Sequence, residues 1–427
     1  MYITSIKIEN LRCFEEAELT FQYPGREQKT PLRFPNINLL LGNNGAGKTT
    51  TLKAIALASL SRLMINSGLV PYRLIRRSNK YPELINTARM SAEVVLHQQD
   101  IESKIPLKPT QEVKMSVSRR GGHEFFLSLD SGPLSAWQQM YEDNSPAFLL
   151  VGYGATRLVE DSEKVDLNAR RKNRLLRYER VAGLFESFVS LIPLGLWLPN
   201  FRKENPRHHK QVVNLINRLL PESASFAGEF EQGEYWFEVN GTKAPFGALS
   251  DGYRAYIGWI ADLLYHICMG APKGAKLVDN RGIVLVDEID LHLHPEWQRS
   301  VIATISETLP NLQFVFTTHS PIVAGSLHKE NIFVMETTAE GASVVQQYEE
   351  EIYGRTAEQV LLSSYFNLDT TRTEPFEDEL KALSLKAGKG DLQAALRFME
   401  KLSAPTNGTP PSKVKAKKAN RKTVKTR

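Results

Sequence analysis

Apolar and polar residues alternate around Ile3, Ile6 and Ile8, and again at Ala17, Leu19 and Phe21. This pattern predicts two strands around a turn. The run Ile37 to Leu41 predicts a short buried strand leading into a glycine-rich loop, and the spacing of Leu52, Ile55, Ala56 and Leu60 predicts a helix over about 48–63. Alternation over 92–96, 113–117 and 125–129 predicts strands of an antiparallel patch, and Phe148 to Val151 an apolar strand ending at Gly152-Tyr153-Gly154. Residues 158–246 carry more helix-type pattern, notably over 180–189 and 211–220. Strands and helices alternate from Leu249 to about Val334, and 352–402 reads as helical. Residues 403–427 are rich in Pro, Lys and Thr with almost no apolar content, and are expected to be disordered. The pattern shows neither internal repeats nor sustained heptads.

With 427 residues the chain is long enough for one large or two ordinary domains. Its hydrophobic content of 42% and charged content of 24% are ordinary for a soluble protein. Two cysteines, Cys13 and Cys268, make no disulfide framework, so a cytoplasmic location is expected. The N-terminus has no apolar signal core. The most apolar stretch, Ala255 to Ala271, is interrupted by Asp262 and His266, and no membrane partner is expected. The net charge of +5 hides a division: Lys413 to Arg427 hold eight Lys/Arg and no acid, which leaves the rest at −3. That tail makes nucleic acid an expected partner through phosphate neutralisation, weighed against a merely solubilising end. The Arg170–Lys172 run reads as a solvated face.

The strongest chemical signal is Gly42-Asn43-Asn44-Gly45-Ala46-Gly47-Lys48-Thr49, which fits G-x-x-x-x-G-K-[ST] between a strand and a helix. Glycines let backbone N–H groups turn onto phosphate oxygens, and the helix N-terminus adds partial positive charge. Asn43, Asn44, Gly45, Ala46, Gly47, Lys48, Thr49 and Thr50 are therefore candidates to bind ATP. Lys48 would reach the β- and γ-phosphates, and the Thr49 hydroxyl would ligate Mg²⁺. The second signal is Ile283-Val284-Leu285-Val286-Asp287-Glu288: a buried strand whose end offers Asp287 to the Mg²⁺ shell and Glu288 to polarise the attacking water.

Leu249-Ser250-Asp251-Gly252-Tyr253-Arg254 resembles the ABC signature LSGGQ, with Asp251 in place of a glycine and Tyr253 in place of the glutamine. Phe314 to Pro321 is similar to the ABC switch segment, with His319 as the switch histidine. Asp290-Leu291-His292-Leu293-His294-Pro295 resembles the D-loop, a better reading of the two histidines than zinc. Ile8 to Phe14 resembles the opening of the RecF and chromosome-maintenance group. Gly152-Tyr153-Gly154 through Arg157, with the other motifs, resembles the stand-alone ATPases of bacterial anti-phage systems of the Septu type.

The resemblance implies an α/β P-loop NTPase fold: an ABC ATPase head with a mixed central sheet, an antiparallel β-subdomain and a short helical lid. The lobes would be 1–157 with the P-loop, 158–246 as the lid, and 247–350 with signature, Asp287, D-loop and His319. A helical segment over 351–402 and a basic tail over 403–427 would follow. The resemblance further implies that Ser250 and Gly252 cap the γ-phosphate held by the opposite protomer, that Arg12 sits near the phosphates, and that Lys48, Glu288 and His319 carry catalysis. The expected partners are a second copy, with higher oligomers open, and a separate effector such as a nuclease or toxin. A RecF-like loading ATPase and a transporter subunit are the alternatives. Gln98, Gln99, Gln138 and Gln139 are weak candidates for a Q-loop, and residues 350–402 are too few for the TOPRIM nuclease of OLD-type relatives.

Overall fold

A computed structural model describes residues 1–28, 31–77, 85–96, 110–128, 150–160, 176–271 and 275–403. Gln98, Gln99, Gln138, Gln139, Phe148, the Arg170–Lys172 run and the basic tail lie outside the described residues. The chain divides into two compact units, Met1–Leu368 and Asp369–Arg427.

In the first unit, β1 (Tyr2–Glu9) and β2 (Glu16–Thr20) pair antiparallel around the turn at Asn10 to Phe14. The strand β3 (Ile37–Gly42) runs into the P-loop and then α1 (Lys48–Leu60). Strands β4 (Thr87–Val95), β5 (Thr110–Arg120) and β6 (His123–Ser128) extend β1 and β2 into a five-stranded antiparallel sheet in the order β2-β1-β4-β5-β6. In β4 buried and exposed positions alternate, as a sheet with one covered face requires. The cover is α1, which packs against both β4 and β5 and against β3 and β12 of the central sheet. Lying between two sheets, α1 is buried nearly all round, and Ala54, Ala56 and Ala58 keep it thin.

The central sheet also holds β7 (Leu150–Tyr153), β11 (Gly282–Val286), β12 (Leu312–Thr318), β13 (Ile332–Thr337) and β14 (Ser343–Gln346), in the order β14-β13-β3-β12-β11-β7. All pairings are parallel except β13–β14. Parallel strands covered on both faces read as continuous apolar runs, and β11 and β12 are buried at every position. Alternate residues serve two cores. Ile283, Leu285 and Val315 join α1 and the antiparallel sheet, while Val284, Val286, Phe314 and Phe316 face the opposite layer. That layer contains α2 (Leu194–Glu204), α3 (Pro206–Leu219), α4 (Asp251–Gly270) and α5 (Val301–Thr308). This is the expected α/β P-loop NTPase fold with its mixed central sheet and antiparallel β-subdomain.

Three expectations are corrected. The helix begun at Lys48 breaks at Ser61 and resumes only for a turn over Arg62–Ile65, because Ser61 takes φ 34° and its hydroxyl donates to the Lys114 carbonyl at 2.9 Å. Residues 180–189 contain only a turn of helix, Ala182–Phe185, because the segment lies along β7: Gly152 N–H donates to the Arg180 carbonyl at 2.8 Å, and a Cβ on Gly154 would lie 2.2 Å from the Gly183 carbonyl oxygen. The lid region is not all helical. It holds a three-stranded antiparallel sheet of β8 (Ala224–Glu231), β9 (Glu234–Val239) and β10 (Thr242–Pro245). Its turns, Gln232-Gly233 and Asn240-Gly241, have positive φ at both residues, the geometry of tight hairpins.

The second unit contains α6 (Glu374–Gly388) and α7 (Leu392–Ser403). They pack through buried Leu380 and Ala394, and Lys401 Nζ donates to Glu379 at 2.8 Å. Among the described residues, no helix is long and apolar enough to cross a membrane.

Two fully buried amides join the sheets. Gln313 accepts from Ile3 N–H at 2.8 Å and donates to the carbonyls of Ile3 at 2.7 Å and Gln22 at 2.8 Å. Asn38 accepts from Gln22 N–H at 2.7 Å and donates to the carbonyls of Gln22 at 2.8 Å and Phe314 at 3.1 Å. Gln313→Leu keeps the bulk but strands the Ile3 N–H and C=O away from water. It is expected to lower unfolding free energy by about 3 kcal/mol, read from urea denaturation; a loss under about 0.5 kcal/mol would contradict this role.

Candidate nucleotide-binding site

The P-loop starts where β3 ends. Gly42 (φ 147°) and Gly47 (φ 110°) occupy backbone regions that L side chains rarely adopt, and both are crowded. A Cβ on Gly42 would lie 2.3 Å from the Met335 carbonyl oxygen, and one on Gly47 would lie 2.4 Å from Phe14 Cζ. Phe14 belongs to the β1–β2 turn, so the antiparallel sheet braces the loop from below. Asn43, Asn44 and Gly45 are exposed, while Ala46, Gly47, Lys48 and Thr50 are buried. Lys48 Nζ folds back to donate to the carbonyls of Gly42 at 2.7 Å and Asn43 at 3.1 Å.

Strand register brings the other groups to this loop. β11 lies beside β12 with Val286 opposite Phe316, so Asp287 comes level with Thr317. The Thr317 hydroxyl donates to Asp287 Oδ1 at 2.6 Å and accepts the Glu288 N–H at 2.7 Å. The other Asp287 oxygen, Oδ2, accepts from the Thr49 hydroxyl at 2.8 Å. Thr49 and Asp287 are hard oxygen donors side by side at the P-loop, and so fit a Mg²⁺ ion. One residue on, Glu288 turns into the left-handed region (φ 51°) and stays half-buried. Beyond it Asp290 accepts from the Thr318 hydroxyl, whose oxygen also takes the Ser320 N–H at 2.9 Å. These bonds fix the turn that carries His319.

Charge in the site is concentrated. Burial lowers the Lys48 pKa from its ordinary value, opposed by Asp287, Glu288 and Asp290. Burial likewise brings Arg157 down to about 10 against the pull of the same three carboxylates. His319 is lowered by burial first and by Lys48 next, against Glu288, Asp290 and Asp287. Arg12 is exposed on the β1–β2 turn at φ 49°. Its charge depresses the neighbouring Lys53 after burial does, while Asp287 opposes, so Arg12 belongs to the same field.

The signature segment stands apart. Ser250 is the N-cap residue of α4, exposed, with no capping hydrogen bond from its side chain. Among the described residues no hydrogen bond links Ser250 or Gly252 to the P-loop. A Cβ on Gly252 would lie 2.7 Å from the His292 carbonyl oxygen, so the start of α4 presses on the 290–294 loop of its own chain. Tyr253 sets its ring edge-on to Trp297 at 4.4 Å, with its hydroxyl 3.0 Å from Ser223 Oγ. Asp251 pairs with Arg254 at 2.8 Å on the surface. The two departures from LSGGQ are thus accommodated by contacts within the chain. His294 Nδ1 accepts from Glu296 N–H at 3.4 Å, a helix-capping contact.

Site residues outside the candidate set are Thr317, Thr318 and Arg157. The Arg157 Nη2 donates to the Glu288 carbonyl at 2.7 Å. The two threonines stood in a quoted motif without a role, since only strand register shows that Thr317 faces Asp287.

Comparison with known proteins is consistent with this geometry. An "AAA domain" model matches residues 5–123, and one described as "AAA domain, putative AbiEii toxin, Type IV TA system" matches residues 166–324. The chain is 24% identical over 371 residues to the Septu protein PtuA of Bacillus mycoides (strain KBAB4), covering 87% of this chain and 45% of that protein. It is 32% identical over 187 residues to the Septu protein PtuA of Bacillus thuringiensis, covering 41% of this chain and 45% of that protein. The chain therefore spans less than half the length of these relatives. The SMC head solved with the C-winged helix domain of ScpA superposes with a TM-score of 0.49 at 15% identity, covering 82% of this chain and 98% of that one. The chain resembles the anti-phage ATPases of the RecF and chromosome-maintenance group.

Lowering of the His319 pKa by burial and by Lys48 has a direct check. In an NMR titration of nucleotide-free protein, His319 is expected to titrate below 6.5. Because a nearby cation disfavours the imidazolium, Lys48→Ala is expected to move that midpoint upward. A midpoint above 6.5, or one indifferent to Lys48, would contradict the assigned surroundings.

Proposed function

We propose that this chain is a Mg-ATP-dependent ATPase of ABC type that dimerises around its nucleotides and regulates a separate effector, a nuclease, in anti-phage defence. The observation that carries the dimer is Ser250. It stands exposed at the N-terminus of a 20-residue helix without a capping hydrogen bond from its side chain, and among the described residues it has no hydrogen bond to the P-loop network of its own chain. A helix N-terminus with a free hydroxyl is a ready anion site. The anion that fits is the γ-phosphate on the exposed P-loop of a second copy.

In this reading the N–H groups of Asn43 to Thr50 cradle the phosphates, and Lys48 exchanges its carbonyl acceptors for β- and γ-phosphate oxygens. Thr49 and Asp287 would hold Mg²⁺, which when bound neutralises phosphate charge. Arg12 adds charge from the β1–β2 turn. Glu288 accepts a proton from the attacking water, and His319 donates an N–H to the γ-phosphate. Ser250 and Gly252 of the partner close the site. Because the cap grips the terminal phosphate, hydrolysis loosens the dimer, and that two-state element signals to the effector. Likeness to the two Septu proteins supports the defence setting and a second protein as target. Nucleic acid, bound by the basic tail, is the proposed trigger.

Glu288→Gln keeps the shape of the site but cannot take the proton. It is expected to bind Mg-ATP, to lose at least about a hundredfold in turnover, and to run as a stable dimer in sedimentation only when ATP is present. A monomer with ATP bound would contradict the clamp.

A further inference from the structure

Arg157 lies four residues beyond β7, with its backbone in the left-handed region at φ 34°. Its side chain is 8% exposed, yet among the described residues its five N–H donors have a single acceptor, the Glu288 carbonyl at 2.7 Å. Exposed lysines and arginines usually solvate their charge. Here a full guanidinium is buried beside Asp287, Glu288 and Asp290 and spent on one main-chain oxygen.

That oxygen belongs to a residue whose own backbone lies in the left-handed region. Glu288 is not a glycine, yet it holds φ 51°, which a side chain tolerates only when its surroundings enforce it. The enforcing bonds can be named. Asp287 N–H donates to the Tyr153 carbonyl at 2.9 Å, Glu288 N–H to Thr317 Oγ1 at 2.7 Å, and Ile289 N–H to the Thr317 carbonyl at 2.9 Å. The Glu288 carbonyl then receives Leu291 N–H at 3.0 Å from its own turn and Arg157 from outside it. Among the described residues the other ties on this turn come from β7, β12 or the turn itself, and Arg157 is the one that anchors the carbonyl side from another loop.

The loop carrying Arg157 is itself held. Tyr153 donates its hydroxyl to Asp262 of α4 at 2.8 Å, and Asp262 also accepts Ile192 N–H at 2.7 Å and pairs with His266 at 3.3 Å. Gly154 sits too close to the Gly183 carbonyl to admit any side chain. A cavity of about 40 Å³ bounded by Arg157, Arg180, Asp262 and His266 leaves room for little more than a water or two.

We propose that Arg157 is a positioning residue: its hydrogen bond to the Glu288 carbonyl fixes the turn that aims the Glu288 carboxylate at the attacking water. The proposal rests on the ATPase reading above, and gives a role to a residue that the sequence resemblance left without one. A carboxylate displaced by about 1 Å from its water costs on the order of a hundredfold in rate while leaving phosphate contacts intact.

The test uses the full chain with Arg157→Met, which keeps the stem and removes the donors, and Arg157→Lys, which keeps one donor and the charge. Arg157→Met is expected to lose about a hundredfold in kcat with KM for Mg-ATP within about threefold, and Arg157→Lys to stay within about tenfold of wild type in kcat. A second readout needs no turnover. In nucleotide-free protein, amide hydrogen exchange over Asp287 to Leu291 should speed up in Arg157→Met and change little in Arg157→Lys. Wild-type kcat in Arg157→Met, a loss confined to KM, or unchanged exchange would overturn the proposal. Should Arg157→Met fail to fold, Arg157→Gln takes its place: its shorter stem withdraws the donor from the Glu288 carbonyl, so a kcat loss with faster exchange over Asp287 to Leu291 would support the proposal, and wild-type kcat or unchanged exchange would overturn it. A wild-type chain that turns over no ATP would instead sink the ATPase reading, and the exchange experiment would still report on the bond.

Discussion

Both oxygens of the Asp287 carboxylate are taken, one by the Thr49 hydroxyl at the start of α1 and the other by the Thr317 hydroxyl at the end of β12. One side chain therefore binds the P-loop helix, the β11 end and the β12 end into a single corner. The corner exists because β3, β12 and β11 are adjacent and parallel, so their C-terminal ends open on the same edge of the sheet. Ligand sites in open α/β sheets gather at such edges. From this corner follow the place of Glu288, the turn that carries His319, and the mutual proximity of Lys48, Arg157 and three carboxylates.

What the corner lacks is a group on the far side of the phosphates. Within one chain, the P-loop presents Asn43 to Gly45 outward and α4 presents Ser250 exposed elsewhere, and among the described residues no hydrogen bond joins the two. In the proposed function a two-fold dimer brings these two surfaces together, each copy finishing the other. Gly252 lets the start of α4 lie close against the 290–294 loop, which also carries Asp290, the acceptor of the Thr318 hydroxyl at the β12 end. Asp262, on the fourth turn of α4, accepts the Tyr153 hydroxyl, and the Tyr153 carbonyl in turn accepts the Asp287 N–H.

The P-loop was legible in sequence because its chemistry is local: glycines, lysine and threonine are adjacent, and the strand and helix around them have clear periodicity. Asp287 and Glu288 were legible for the same reason. Thr317 and Arg157 were not, because their meaning depends on which strands are neighbours and in what register, and periodicity does not carry that. The hairpins of 224–245 were missed although Asn240-Gly241 is a strong turn signal. Their strands bury few residues, chiefly Phe226, Tyr235 and Phe237, so the alternation is thin. The break in the first helix is of another kind: apolar spacing continues through Leu63, which is again helical, but Ser61 is drawn off by the Lys114 carbonyl of a distant strand.

The central claim, that two copies complete each other's nucleotide site, is tested most directly by mixing two dead variants. Lys48→Ala lacks a working P-loop and Ser250→Arg lacks a working cap, so neither turns over ATP alone. In a mixed dimer the intact P-loop of one meets the intact cap of the other. An equimolar mixture is predicted to recover about a quarter of wild-type turnover. A mixture as inactive as its components, or Ser250→Arg alone as active as wild type, would contradict the shared site.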